Sequence, residues 1–358
     1  VTNPWFGQFA SEKGMVSKGH QRNFDLNLQQ ILNYTKQIGH HNLNVMLGHE
    51  SYQNRIYLLS ASKSNMLTQD NDELAGAIID KQGAGSYRRE YNNEGYFARV
   101  MYDYAGKYFA SASYRRDASS RFHPDHRWGN FWSLGTSWRI DRESFMASTA
   151  NWLSALTLKM SYGAQGNDNL GTYYASKGLY TIVSNLGENA LVSDRMATPN
   201  LKWETNLNFN VGVDFSLFNN RFSGSFDFFT RRSKDLLYSR PIAPSLGYGS
   251  IDENVGALKN TGIEMVLNGT IINQNGWVWK LGMNLTHYKN KVTELPLKDM
   301  PQSGVNKLQV GRSVYDFYMK EWAGVDPDNG NPLWYMDEKD ANDNLTGKRV
   351  TTSDYASA

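Results

Sequence analysis

From Leu201 to Leu217 the chain repeats with a period of two. Leu201, Trp203, Leu207, Phe209, Val211, Val213, Phe215 and Leu217 hold the odd positions, with Thr205 the one break. Asn206, Asn208, Asn210, Gly212, Asp214 and Ser216 hold the even ones. Successive side chains of a strand point to opposite faces, so this segment has one apolar and one polar face. A strand of a soluble sheet runs to about 5–6 residues, whereas one that crosses a bilayer at a tilt needs about 9–11. The length and rhythm together predict a strand with lipid on one side and water on the other.

The same rhythm predicts ten strands, at Phe24–Thr35, Asn42–Tyr52, Tyr96–Tyr104, Lys107–Arg116, Trp128–Ile140, Leu156–Tyr162, Leu201–Leu217, Arg221–Arg231, Ile263–Ile271 and Trp277–Leu285. Weaker signals lie at Tyr57–Ser62, Phe317–Ala323 and Leu333–Asp337. Tight turns at Gly39, Ala105-Gly106, Asn219-Asn220 and Asn275-Gly276 alternate with longer polar connections at Asn54–Asn93, Asp117–Arg127, Gln165–Asn200 and Leu236–Asn254. Membrane barrels sort their connections this way, with short turns at one rim and long loops at the other. The fold expected is all-β, an antiparallel up-and-down transmembrane barrel segment.

Composition is consistent with that fold. The chain has no cysteine, which removes disulfides and thiolate metal sites. Mean hydropathy is −0.58, and no run approaches the roughly 18 apolar residues of a membrane helix. Barrel strands escape such a window because half of their residues are polar. Aromatics make up 13% of the chain, enough to furnish interfacial girdles. A net charge of +2 gives no argument for nucleic acid. The chain starts at Val1 and ends in TTSDYASA without an evident closing strand, so it reads as part of a longer barrel, 1–358 being one partial barrel domain.

The motifs carry a family resemblance. RRDASSRF (Arg115–Phe122) is followed by WLSALTLKMSYGAQGN (Trp152–Asn167), PNLKWE (Pro199–Glu204) and FNNRFSGSFDFF (Phe218–Phe229). NVGALKNTGIEMVLNG (Asn254–Gly269) and EWAGVDPDNGNPLWY (Glu321–Tyr335) complete the series. In this order they resemble the C-terminal barrel part of SusC/RagA-type TonB-dependent outer-membrane transporters of Bacteroidetes-type bacteria. The resemblance implies a wide barrel of about 22 strands, plugged by an N-terminal domain. It implies import of glycans or oligopeptides under a SusD-like lipoprotein, energised by the TonB–ExbB–ExbD complex. Signal peptide, plug and final strands are expected to lie outside this segment. A passive porin-like or structural barrel is the alternative reading, and a barrel enzyme a third.

Enzyme chemistry finds little support. His123-Pro124-Asp125-His126 could be drawn as a metal or acid–base cluster, but the proline breaks any helical face. Asp326–Gly330 fails calcium-loop spacing and reads as a turn. Asp70, Asp72 and Glu73 read as a solvated acidic loop. No catalytic residue, metal site or cofactor is expected. The expected lumen-facing charges are Arg99, Asp103, Lys159, Asp214, Asp227, Glu264 and Lys280. Tyr173, Tyr174, Tyr180, Tyr248 and Trp322 are loop candidates for contact with substrate or lid. Trp203, Phe215, Trp277 and Trp279 are the expected membrane-girdle residues.

Overall fold

A computed structural model describes residues 10–68, 70–297, 304–339 and 345–355. Of the two ends read as cut ends, residues 1–9 and 356–358 lie outside the described residues. Contacts divide the chain into two units, Val1–Tyr288 and Lys289–Ala358.

The first unit is dominated by one antiparallel sheet. Its strands are β1 (Met15–Ile38), β2 (His41–Met66), β3 (Ala77–Tyr104), β4 (Tyr108–Ser119), β5 (Trp128–Arg139) and β6 (Leu153–Asn167). A hairpin, β7 (Leu179–Asn185) with β8 (Glu188–Arg195), precedes β9 (Glu204–Leu217) and β10 (Phe222–Lys234). A second hairpin, β11 (Leu237–Pro241) with β12 (Ser250–Asn254), precedes β13 (Ala257–Gln274) and β14 (Trp277–Glu294). The order is β1-β2-β3-β4-β5-β6-β9-β10-β13-β14, with each wall strand beside its successor. The two hairpins form separate small sheets within the long connections. All ten expected strands are present in this one sheet. It is open, with β1 and β14 as its edges.

Register aligns the apolar rhythms into one face. Trp138 opposes Leu158, which opposes Val213, which opposes Phe226, which opposes Met265. Leu134, Tyr162 and Phe209 form a parallel row. Side chains of both rows remain open to the surroundings, Leu134 at 55% and Phe226 at 48%. A continuous apolar face of that extent is what hydrocarbon covers. The opposite face carries Ser, Asn, Gly and charge.

Aromatic rows mark both edges of the band. Near the short turns, His41 meets Tyr104 at a tilt with ring centroids 4.9 Å apart, and Tyr104, Tyr108 and Trp138 stack in sequence at 6.3 and 6.4 Å. At the other edge Trp132 meets Tyr162, and Tyr162 meets Phe209, edge-on at 5.4 and 6.4 Å. The short turns use left-handed backbone where expected: Asn275 and Gly276 have φ of 51° and 79°, the geometry of a two-residue hairpin turn.

Three expectations change. Asn54–Asn93 is not a loop, because β2 and β3 continue through most of it and leave only a connection around the short 3-10 turn Leu74–Gly76. The weak Tyr57–Ser62 strand is part of β2. Leu201–Trp203 precede β9 instead of opening it. In the second unit, β15 (Trp322–Val325), β16 (Pro332–Lys339) and β17 (Leu345–Thr352) form a three-stranded sheet. The signal at Leu333–Asp337 falls in β16. That at Phe317–Ala323 reaches only the start of β15, with a single bridge from Phe317 to Asn306.

Candidate functional site

Three of the expected polar-face charges converge. The Lys159 ammonium on β6 lies 2.7 Å from Asp214 on β9 and 3.0 Å from Asp227 on β10. Gly212 opposes both Lys159 and Asp227. A Cβ there would sit 2.0 Å from the Asp227 Oδ1, so the glycine makes room for the cluster. Glu264 stands directly opposite Asp227 across β10–β13. Two carboxylates thus clasp one ammonium, and a third, Glu264, stands beside them on the next strand. Exposed ion pairs contribute only about 0–1 kcal/mol each, so the cluster matters more for the field of the inner face than for holding the sheet.

The other polar-face candidates are dispersed. Asp103 anchors the short-turn end, accepting from the Asn42 amide at 2.5 Å and from the Gly106 N–H at 2.9 Å. Arg99 and Lys280 are exposed on their strands and do not join the Lys159 cluster.

A second polar group was not foreseen. The Arg115 guanidinium donates to Glu50 at 2.8 Å and to Asp117 at 2.7 and 2.8 Å, with the Phe97 ring 5.2 Å beneath it. The signal was present in RRDASSRF, whose first arginine has the parity of the polar face.

Above it the long connections are tied to the wall. Asp168, just beyond β6, accepts from the Tyr91 hydroxyl at 2.8 Å and the Ser119 hydroxyl at 2.6 Å. Arg121 donates to the Asp168 carbonyl at 2.9 Å and lies over the rings of Tyr91 and Tyr173 at 4.8 and 5.7 Å. Phe122, Ala175 and Leu201 are buried beside this network, with Leu170, Trp203 and Leu237 packed against them. RRDASSRF and the residue that follows YGAQGN, far apart in the chain, meet here. Asn254 performs a similar tie, accepting from the Lys202 N–H at 2.8 Å and donating to the carbonyls of Lys202 and Asp235 at 2.8 and 3.0 Å.

The loop candidates divide. Tyr173 belongs to the Arg121 network, and the Tyr174 hydroxyl accepts the Glu90 N–H at 3.1 Å. Tyr248 shares a hydrogen bond of 2.7 Å with Ser193, which together with an Arg195–Asp252 ion pair joins the two small hairpins. Tyr180 on β7 is exposed, as is Trp322 on β15, whose ring meets Trp334 edge-on at 6.0 Å. At the hairpin, Arg240 makes two 2.9 Å hydrogen bonds to Glu253, which hold that carboxyl below the usual glutamate range.

Of the girdle candidates, Trp277 and Trp279 project from β14, 78% and 54% exposed. Phe215 lies on the apolar face between Leu156 and Gly224. Trp203 departs from expectation. Its indole N–H donates to the Arg127 carbonyl at 2.8 Å, and its ring packs on Phe122 and Phe131 at 5.6 and 5.3 Å. Alternation counts an apolar side chain whether lipid or protein covers it, and here protein does. The upper aromatic edge on β9 is Phe209. His123 lies in an exposed turn, 3.3 Å from Asp125. Asp326 is engaged in its own turn, accepting from the Asp328 N–H and the Asn329 amide at 2.9 and 2.8 Å.

A sheet of sequential antiparallel strands, with one face for hydrocarbon, one for water and loops sorted by rim, defines the wall of a transmembrane β-barrel. Residues 2–357 match the family model for the TonB dependent receptor-like β-barrel, and the chain belongs to that family. It is 31% identical over 314 residues to the TonB-dependent receptor P3 of Formosa agariphila, covering 83% of this chain and 31% of that protein. To the TonB-dependent receptor SusC of Bacteroides thetaiotaomicron it is 28% identical over 339 residues, covering 88% of this chain and 33% of SusC. A structure of the RagAB peptide transporter superposes with a TM-score of 0.85 at 29% identity, covering 95% of this chain and 38% of that one. The chain therefore spans about a third of the length of these relatives.

Proposed function

We propose that this chain forms wall and extracellular loops of a SusC/RagA-type transporter in the outer membrane of a Bacteroidetes-type bacterium, taking up glycans or oligopeptides. In this reading a SusD-like lipoprotein covers the mouth, and TonB–ExbB–ExbD supplies energy through a plug encoded elsewhere in the parent. The protein acts by binding and translocation, not by catalysis. The observation that carries the reading is the loop network at one rim. Tyr91, Arg121 and Asp168 brace the long connections against the strands, while β7–β8 and β11–β12 extend from them as joined hairpins. Loops held on a rigid scaffold are where recognition resides.

The test uses the full-length parent. Removing Leu179–Arg195 should leave barrel assembly intact and abolish uptake of labelled oligosaccharide or oligopeptide. Uptake should also stop when the proton-motive force is collapsed. Uptake that survives both treatments would establish a passive pore.

A further inference from the structure

The outer face does not end at its upper aromatic edge. His49 stacks on Tyr96 at 4.7 Å and Tyr96 on Trp128 at 6.2 Å, while Arg116 lays its guanidinium 5.0 Å over Trp128. Beyond these rings β1, β2 and β3 continue, and positions with the parity of the lipid face carry arginine. Arg22, Tyr57 and Arg88 are direct partners in one row across the three strands. Arg55 lies two residues nearer the rings, opposite Glu90. Arg22 sits 4.7 Å over the Tyr57 ring.

The charges do not cancel. Glu90 is shared, 3.8 Å from Arg55 and 3.4 Å from Arg88. The Arg55 and Arg88 side chains are 46% and 62% exposed. Among the described residues no carboxylate pairs with Arg22. One carboxylate thus serves two of the three guanidiniums and leaves the third without an ion pair. Beside them a shallow hollow of about 590 Å³ has His20, Tyr57, Leu59, Ser86 and Arg88 among its lining residues, Leu59 being 55% exposed.

Height decides what such a patch can meet. Glu90 and Arg88 lie six and eight residues beyond Tyr96. At about 3.3 Å per residue and a tilt of about 45°, that is roughly 14–19 Å above the ring level. The polar zone of an ordinary phospholipid adds only about 5–8 Å on each side of the hydrocarbon. An anion reaching the arginines while its acyl chains remain in the membrane therefore needs a spacer of several sugar rings.

We infer that Arg22, Arg55 and Arg88, with Tyr57, form a docking site for a membrane glycolipid whose saccharide headgroup carries phosphate or carboxylate. Guanidinium forks pair with either group bidentately, and the ring and Leu59 offer apolar surface to sugar faces. The site continues the lipid-covered face and lies outside the lumen. It rests on the outer-membrane reading for its sidedness, but substrate recognition is not involved.

The experiment titrates the purified full-length parent in detergent with a phosphorylated lipopolysaccharide lacking its distal polysaccharide. The triple variant Arg22→Gln, Arg55→Gln, Arg88→Gln should bind at least tenfold more weakly, and raised salt should remove most of the difference. The wild type should bind phosphatidylglycerol, and the glycolipid stripped of both phosphate and carboxylate, about as weakly as the variant binds the intact glycolipid. Equal binding by wild type and variant would overturn the site. Wild-type binding of phosphatidylglycerol as tight as that of the glycolipid would overturn the saccharide assignment, even if the variant failed to assemble. Loss of energised uptake would touch only the transport reading.

Discussion

Gly262 illustrates how little slack the wall has at single positions. A Cβ at this site would lie 2.5 Å from the His287 carbonyl oxygen and 2.7 Å from the Tyr288 Cβ. Neither neighbour can swing away as a side-chain tip would. Gly262→Ala should therefore cost about 1–3 kcal/mol through overpacking, read by denaturant titration of the full-length parent in lipid vesicles. At Gly282 the nearest atom is a side-chain oxygen at 3.2 Å, so Gly282→Ala should be markedly milder. The two faces of a strand supply another residue-level comparison. Val213 lies midway between Phe209 and Leu217 on the apolar face, flanked by Leu158 and Phe226. Val213→Arg should cost about 2–4 kcal/mol, as a charge facing mid-bilayer hydrocarbon does. Ser225 on the polar face opposes Asp214, so Ser225→Arg places its cation beside a carboxylate and should cost far less. Equal costs in the same vesicle titration would mean that lipid does not cover the apolar face.

Strands and hairpins respond to different conditions. The β11–β12 hairpin is clamped by Arg240 and Glu253, and the folded carboxyl has a depressed pKa. Its contribution is fully present above the ordinary glutamate value of 4.5 and is lost as pH falls through the lower, folded value. The protection of the hairpin amides in the parent, measured as exchange relative to the intrinsic rate at each pH, should hold down to about that ordinary value and fall below it. Arg240→Gln should remove the acid step. The ten wall strands were legible because lipid enforces alternation wherever it covers one face. Above the membrane both faces are wet and the rhythm disappears. Gln53, Asn54 and Arg55 on β2, and Arg88, Arg89 and Glu90 on β3, are strand residues without an apolar partner face, so this stretch read as a loop. The β7–β8 and β11–β12 hairpins escaped notice for the same reason. Parity identified Lys159, Asp214 and Asp227 as sharing a face, but only register shows that they meet. Arg121 and Asp168 were invisible as partners because the loops that bring them together have no period to read.

For the whole molecule, the open edges at β1 and β14 dominate behaviour outside a complete barrel. Unpaired backbone groups in hydrocarbon cost several kcal/mol each, and a broad exposed apolar face promotes association. Expressed alone, this chain should aggregate or require detergent, which size-exclusion chromatography with light scattering would show. A monodisperse soluble monomer with a cooperative melt would contradict the wall architecture. The knot at Asp168 has a bearing on biogenesis as well. Its partners Tyr91 and Ser119 lie 77 and 49 residues earlier in the chain, on strands separated from β6 by further crossings of the membrane. Contacts of such separation form late, since the intervening chain must be ordered first. The exterior should therefore become protease-resistant only once β3 through β6 have all crossed, and limited proteolysis of assembly intermediates halted midway should find the mouth untied.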